Sequence, residues 1–163
     1  MNVGGEALAN RLPPGRGIGS RIRGWIRLLL VLIAAGLAAV FVVAFRLNPY
    51  KDGRVWLEET HRQMGFPPCT FKAVTGLPCP SCGMTSSFTL LAHGDPVNSL
   101  RANFVGTFLA IALLLIGPWF LACAVRGRWL LVRNVERALV LGVLALVLLL
   151  FARWGVVLLT QAI

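Results

Sequence analysis

Leu28-Leu29-Leu30-Val31-Leu32-Ile33-Ala34-Ala35-Gly36-Leu37-Ala38-Ala39-Val40-Phe41-Val42-Val43-Ala44-Phe45 carries no charge, and Arg27 and Arg46 fence it. About 18 or more such residues in a row suffice for a membrane helix, because a rise of ~1.5 Å per residue must cross ~30 Å of hydrocarbon. Trp25 precedes the run, where an interface aromatic belongs. A cleaved leader has an apolar core of roughly 7–15 residues followed by a small-x-small site. This run is longer and offers only Val42-x-Ala44, so it predicts a retained anchor. Ala34, Ala35, Gly36, Ala38 and Ala39 thin one stretch, which permits close helix approach.

Two further runs follow. Phe104 to Val125 contains Gly117-Pro118, which predicts a kink or local break. Cys123 lies inside it and reads as a small packing residue. Ala138 to Thr160 contains Arg153 and Trp154. A charge at the bilayer centre is costly, but Arg153 stands near the end of its run, so snorkelling to the interface is expected. The composition agrees. Of 163 residues 57% are hydrophobic and 13% charged, against about 25% charged in soluble domains. The fold expected is an all-α integral membrane protein with three transmembrane helices, at about 26–45, 104–125 and 138–160. A disordered basic tail, 1–24, precedes a single membrane domain, 25–163, whose long loop, 46–103, carries short helices.

The net charge of +10 falls mostly beside the apolar runs, without interleaved aromatics or a binding motif. That favours anionic membrane lipids as the partner and excludes a nucleic-acid reading. The tail holds Arg11, Arg16, Arg21, Arg23 and Arg27, and the short second loop holds Arg126, Arg128, Arg133 and Arg137. Three spans put both on one side, and the positive-inside rule makes that side cytoplasmic. The long loop then faces outward.

That loop holds Cys69 and the stretch Pro78-Cys79-Pro80-Ser81-Cys82-Gly83-Met84-Thr85. Val55 to Met64 suggests a short helix, stopped by Gly65 and Pro67-Pro68. Met84, Phe88 and Leu91 recur at helical spacing, and Asp95-Pro96 reads as a cap and first helical residue. Three cysteine chemistries stay open. Cys69 with Cys79 or Cys82 can close a structural disulfide, which leaves one cysteine over. Cys79 and Cys82 have the spacing of an exchanging dithiol, with Cys79 as attacker, Cys82 as resolving thiol and Cys69 as relay; a helix dipole would favour the thiolate. Cys69, Cys79, Cys82 and His93 can form a Cys₃His zinc site. Covalent haem is disfavoured, because Gly83 occupies the histidine position of its attachment motif. Hydrolytic chemistry has no paired carboxylates: Glu58 and Glu59 are adjacent and do not share a helix face.

Cys69-Thr70-Phe71-Lys72, Thr75-Gly76-Leu77-Pro78-Cys79-Pro80-Ser81-Cys82-Gly83-Met84-Thr85, His93-Gly94-Asp95 and Asn103 together resemble the bacterial membrane family catalogued as domain of unknown function 2752. The resemblance runs from Cys69 to about Gly106. It implies a small polytopic membrane protein of the bacterial plasma membrane and assigns no reaction. Cys69, Cys79, Cys82, Gly83, Thr85, Gly94 and Asp95 match the family pattern. Ser86 stands where the family commonly has arginine, and Phe104 where it often has proline. The expectation is a non-enzymatic membrane component whose cysteine motif braces an outward loop, with membrane lipids, a membrane protein or a second copy of the chain as partners. No cofactor is expected unless the zinc alternative holds. A membrane thiol–disulfide oxidoreductase and a metal-binding loop are the alternatives.

Overall fold

The computed structural model describes residues 21–51, 53–130 and 135–161. Most of the tail expected at 1–24, and Arg133 of the short basic loop, lie outside the described residues. The elements are α1 (Gly24–Arg46), β1 (Tyr50–Lys51), β2 (Arg54–Val55), a 3₁₀ helix (Thr60–Met64), α2 (Thr70–Thr75), α3 (Met84–Ala92), α4 (Pro96–Arg126) and α5 (Val135–Gln161). Helices α1, α4 and α5 are long and apolar enough to cross a membrane. The chain is an all-α multi-pass membrane protein, with short helices in the loop between its first two spans.

Packing of α1 on α4 makes the apolar core. Ile22, Leu30, Phe120, Cys123 and Ala124 are buried together, with Trp119 and Trp129 against them. Cys123 is fully buried there and packs as a small apolar side chain. The start of α1 and the end of α4 share one end of the molecule. Ile22 N–H donates to Gly127 O at 2.8 Å, and Arg27 Nε donates to Ala124 O at 2.7 Å. The guanidinium thus satisfies a carbonyl that a helix end leaves without an intrahelical donor.

At the other end, α1 stops before Asn48-Pro49. Gln63 of the 3₁₀ helix grips Asn48 there: its Oε1 accepts from Asn48 N at 2.9 Å and its Nε2 donates to Asn48 O at 2.6 Å. The helix expected over Val55–Met64 is shorter than its pattern. Arg54–Val55 instead pairs with Tyr50–Lys51, and Glu59 adopts a left-handed φ of 61°, which a continuing α-helix cannot contain.

The second span also departs from expectation. Pro118 sits inside α4 without a break there; the non-helical residue is Asn103, with φ −161° and ψ 104°. A proline removes one amide donor but keeps a helical φ. Asn103 by contrast acts as a fresh N-cap: its Oδ1 accepts from Gly106 N at 3.1 Å. Asparagine is among the strongest residues for that role. The membrane run therefore starts at Phe104, as its hydropathy suggests, although helical residues precede it from Pro96.

Helix α5 packs sparingly and leaves its apolar window exposed, as lipid contact allows. Arg153 near the end of its run has a specific partner. Its Nη2 donates to Ala102 O at 3.2 Å. The break at Asn103 accounts for this: Gly106 N, the normal helical donor to Ala102 O, has turned to Asn103 Oδ1.

Candidate functional site: a three-cysteine cluster on a helix break

Local structure brings the three cysteines together. Cys69 stands immediately before α2, and Gly76 ends that helix. Thr75 Oγ1 then accepts from Leu77 N at 3.2 Å and turns the chain back. Pro78 O accepts from Trp154 Nε1 at 2.9 Å, and the Trp154 ring meets Phe71 edge-on at 6.0 Å. The third span thereby holds both flanks of the segment that returns to Cys79. Cys79-Pro80-Ser81-Cys82 closes as a tight turn, with Cys82 N donating to Cys79 O at 3.1 Å and Met84 N to Ser81 O at 3.0 Å.

The sulfurs converge. Cys79 Sγ and Cys82 Sγ lie 3.1 Å apart, and Cys82 Sγ and Cys69 Sγ 3.8 Å apart. All three lie within 4.8 Å of one another. Cys82 is the middle of the group. Its sulfur also accepts from Cys79 N at 3.2 Å. No disulfide joins these three thiols.

Their acidities diverge. Burial disfavours the Cys79 thiolate, but hydrogen bonds from the Ser81 hydroxyl, the Cys82 thiol and the Cys69 thiol outweigh it, so Cys79 is held below its ordinary value. Burial acts on Cys82 too, and there the neighbouring Cys79 sulfur adds to it; Cys82 is pushed up to about 12. Neighbouring sulfurs and a serine separate the two.

Beneath the cluster lies the helix break. Gly83 has φ +79°, and a Cβ there would stand 2.4 Å from Ala102 O. Only glycine combines that backbone with that proximity. Asn103 Nδ2 donates to Cys82 O at 3.0 Å. Gly106 admits α3 equally closely, since a Cβ on it would lie 2.3 Å from Ser87 Oγ. Buried hydroxyls stitch the contact. Ser99 Oγ lies 2.8 Å from Ser87 O and 2.7 Å from Thr107 Oγ1, and Thr60 Oγ1 lies 2.6 Å from Ser86 Oγ. The face of α3 turned inward is therefore largely Ser86, Ser87 and Thr89, with Leu90. Its Met84, Phe88 and Leu91 stripe is half-buried, and Phe88 stacks on Phe41 of α1 at 5.8 Å.

The other expected site residues divide. Thr85 lines the cysteine cleft. Gly94 N donates to Leu91 O at 3.0 Å in the turn that leads to Asp95. Asp95 caps α4 through Asn98 N at 3.1 Å and accepts from Tyr50 Oη at 3.1 Å. His93, expected as fourth zinc ligand, follows the far end of α3. It stacks on Phe45 at 5.3 Å, and its Nδ1 lies 2.9 Å from Thr89 O. Among the described residues the metal-capable group is the three cysteines alone. His61 and Glu59 instead line the cleft of about 230 Å³ that opens on the sulfurs.

Asn103, Arg153, Trp154 and Glu59 are the residues that sequence reasoning left out of the site. Asn103 carried a usable signal, an N-cap residue immediately before an apolar run. Arg153-Trp154 carried another, a polar pair within an apolar run.

No curated protein and no solved structure matches the chain. The resemblance to a family is borne out over the segment that bears the cysteines and most of the helix they rest on. Residues 69–117 match the model of the family described as Protein of unknown function (DUF2752).

Proposed function

We propose that this protein is a non-enzymatic component of a bacterial plasma membrane, and that its cysteine cluster braces an outward loop for a membrane-protein partner. The N-terminus and the Arg126–Arg137 loop then lie in the cytoplasm, and the cysteine loop outside. The shared end formed by Ile22, Arg27 and Gly127 supports one basic side, and the density of arginine there supports the cytoplasmic choice. One observation carries the brace. Cys69, from before α2, meets Cys79 and Cys82 of one turn directly above Asn103 and Ala102, so joining them would fix the loop to the second span.

A second reading, thiol–disulfide exchange, is favoured by the central place of Cys82 between two sulfurs. In that reading Cys79 attacks a partner's disulfide and releases one partner thiolate. Cys82 then displaces the second partner thiol, leaving a Cys79–Cys82 disulfide and a reduced partner. Cys82→Ser separates the two. Bracing predicts a loosened loop with no trapped partner. Exchange predicts a disulfide-linked partner on non-reducing gels, absent when Cys79 is also replaced. Reporters fused after Gln63 and Gly127 test the orientation: the first should behave as extracytoplasmic and the second as cytoplasmic.

A further inference from the structure

The brace needs a chemical bond, and three sulfurs suit one kind better than another. A disulfide joins two and leaves the third idle. A thiophilic cation uses all three. We propose that Cys69, Cys79 and Cys82 hold one zinc ion as thiolates, with the fourth coordination position facing the cleft lined by His61 and Glu59. This rests on the bracing reading and names what does the bracing.

The geometry is close to that of a zinc–thiolate centre. Zinc–sulfur bonds of about 2.3 Å at tetrahedral angles place sulfurs roughly 3.8 Å apart. Cys82 and Cys69 already stand at 3.8 Å, and Cys79 and Cys82 at 3.1 Å. The third pair, Cys69 and Cys79, lies within 4.8 Å, so adjustments of about an ångström complete the arrangement. The backbone is prepared as well. Cys79-Pro80-Ser81-Cys82 closes on itself, and left-handed Gly83 turns the chain away from the sulfurs. Cys79 N already donates to Cys82 Sγ at 3.2 Å, the kind of outer bond that orients a metal-bound thiolate. Asn103 holds Cys82 from behind through its carbonyl.

The cleft supplies room for a fourth donor. About 230 Å³ opens beside the sulfurs, with His61 and Glu59 on its wall. Glu59 holds a left-handed backbone that a non-glycine residue adopts at a cost, and it does so at this wall. His61 Nε2 lies 3.2 Å from Pro67 O, so the ring is held by the loop that leads to Cys69. The sulfurs thus form a three-ligand site with an accessible face, the arrangement of a zinc centre that keeps one position for water or an incoming group.

The experiment uses the full-length chain purified in detergent with reductant, stripped of metal, reloaded with zinc and desalted. Elemental analysis should find about one zinc per chain, the stoichiometry of a mononuclear site. Cys69→Ser and Cys82→Ser should each lower retention roughly tenfold or more, because losing a primary ligand should cost at least the ~10–100-fold that losing an outer partner costs. Cobalt in place of zinc should give a thiolate-to-metal charge-transfer band and the strong visible bands of tetrahedral cobalt. Zinc retention in the unmutated chain no higher than in the triple Cys69→Ser/Cys79→Ser/Cys82→Ser variant overturns the proposal, as does a cobalt complex without thiolate bands. The cobalt spectrum needs no variant, so misfolding of Cys82→Ser cannot shelter the idea. If zinc is absent and Cys82→Ser still loosens the loop, the zinc site falls and the brace survives through another bond. If zinc is bound and Cys82→Ser leaves the loop as tight as before, the zinc site stands and the brace falls.

Discussion

The side-chain amide of Asn103 spans two jobs: its Oδ1 caps the second membrane helix through Gly106 N at 3.1 Å, and its Nδ2 donates to Cys82 O at 3.0 Å. One residue thereby starts a membrane span and carries the cysteine turn. Removing it should cost both functions. Asn103→Ala loses a cap worth about 1 kcal/mol and leaves the Cys82 carbonyl unpaired, for a total of about 2 kcal/mol or more. Asn103→Asp keeps the cap acceptor and should cost less. Denaturation midpoints in mixed micelles give the comparison, and equal midpoints for Asn103→Ala and the unmutated chain would refute the double role.

Gly83 and Gly94 provide a matched pair. Both have positive φ, +79° and +77°, but only at Gly83 would a Cβ collide, with Ala102 O at 2.4 Å. Gly94→Ala should cost about 1 kcal/mol, the usual strain of a left-handed alanine. Gly83→Ala should cost distinctly more, on the order of 3 kcal/mol, because backbone must move as well. The same micelle titration reads the ranking, and similar losses at the two positions would show that α3 does not press on the helix break.

Arg153 distinguishes a structural bond from a snorkel. Ala102 O has lost its helical donor, and the guanidinium replaces it at 3.2 Å. Arg153→Leu should destabilise by about 1–3 kcal/mol by orphaning that carbonyl. Were Arg153 only reaching for the interface, leucine would raise or preserve stability in lipid.

Asp95 predicts an acid dependence. Hydrogen bonds from the Asn98 amide side chain and Asn98 N–H favour the carboxylate, the Tyr50 hydroxyl and Arg101 add to them, and the group lies below its ordinary value. A carboxyl lowered in the folded state adds stability above its unfolded pKa, near 4. That contribution disappears as pH falls through the lowered value. Asp95→Asn should therefore flatten the acid limb of a stability-versus-pH curve while leaving its slope near neutrality unchanged. An acid limb identical in both proteins would place the titration elsewhere.

Much of the fold is readable from hydropathy because lipid contact imposes long, uncharged runs. Leu28–Phe45 lies wholly within α1, which starts a turn earlier at Gly24 and ends at Arg46. The cysteine group was readable in part, since Cys79 and Cys82 are local to one turn. What escaped depends on contacts across the chain. The break at Asn103 is favourable because Cys82, Gly106 and Arg153 each find a partner there. Arg153 is remote in sequence, so its carbonyl could not be foreseen. Pro118 announces itself in the local sequence, while the non-helical break at Asn103 followed polar pairing. His93 and His61 exchanged prominence because α3 carries the first away from the sulfurs and the left-handed Glu59 brings the second to their cleft.

Amide hydrogen exchange in micelles, compared between the unmutated chain and Cys82→Ser, asks whether the cysteine cluster and the second span act as one unit. Cys82 touches Cys69, Cys79 and, through its carbonyl, Asn103. A brace anchored on the helix break predicts that residues 69–83 and residues 99–107 lose protection together in Cys82→Ser, while α1 retains it. Unchanged exchange in both segments, or a loss confined to 69–83, would contradict it.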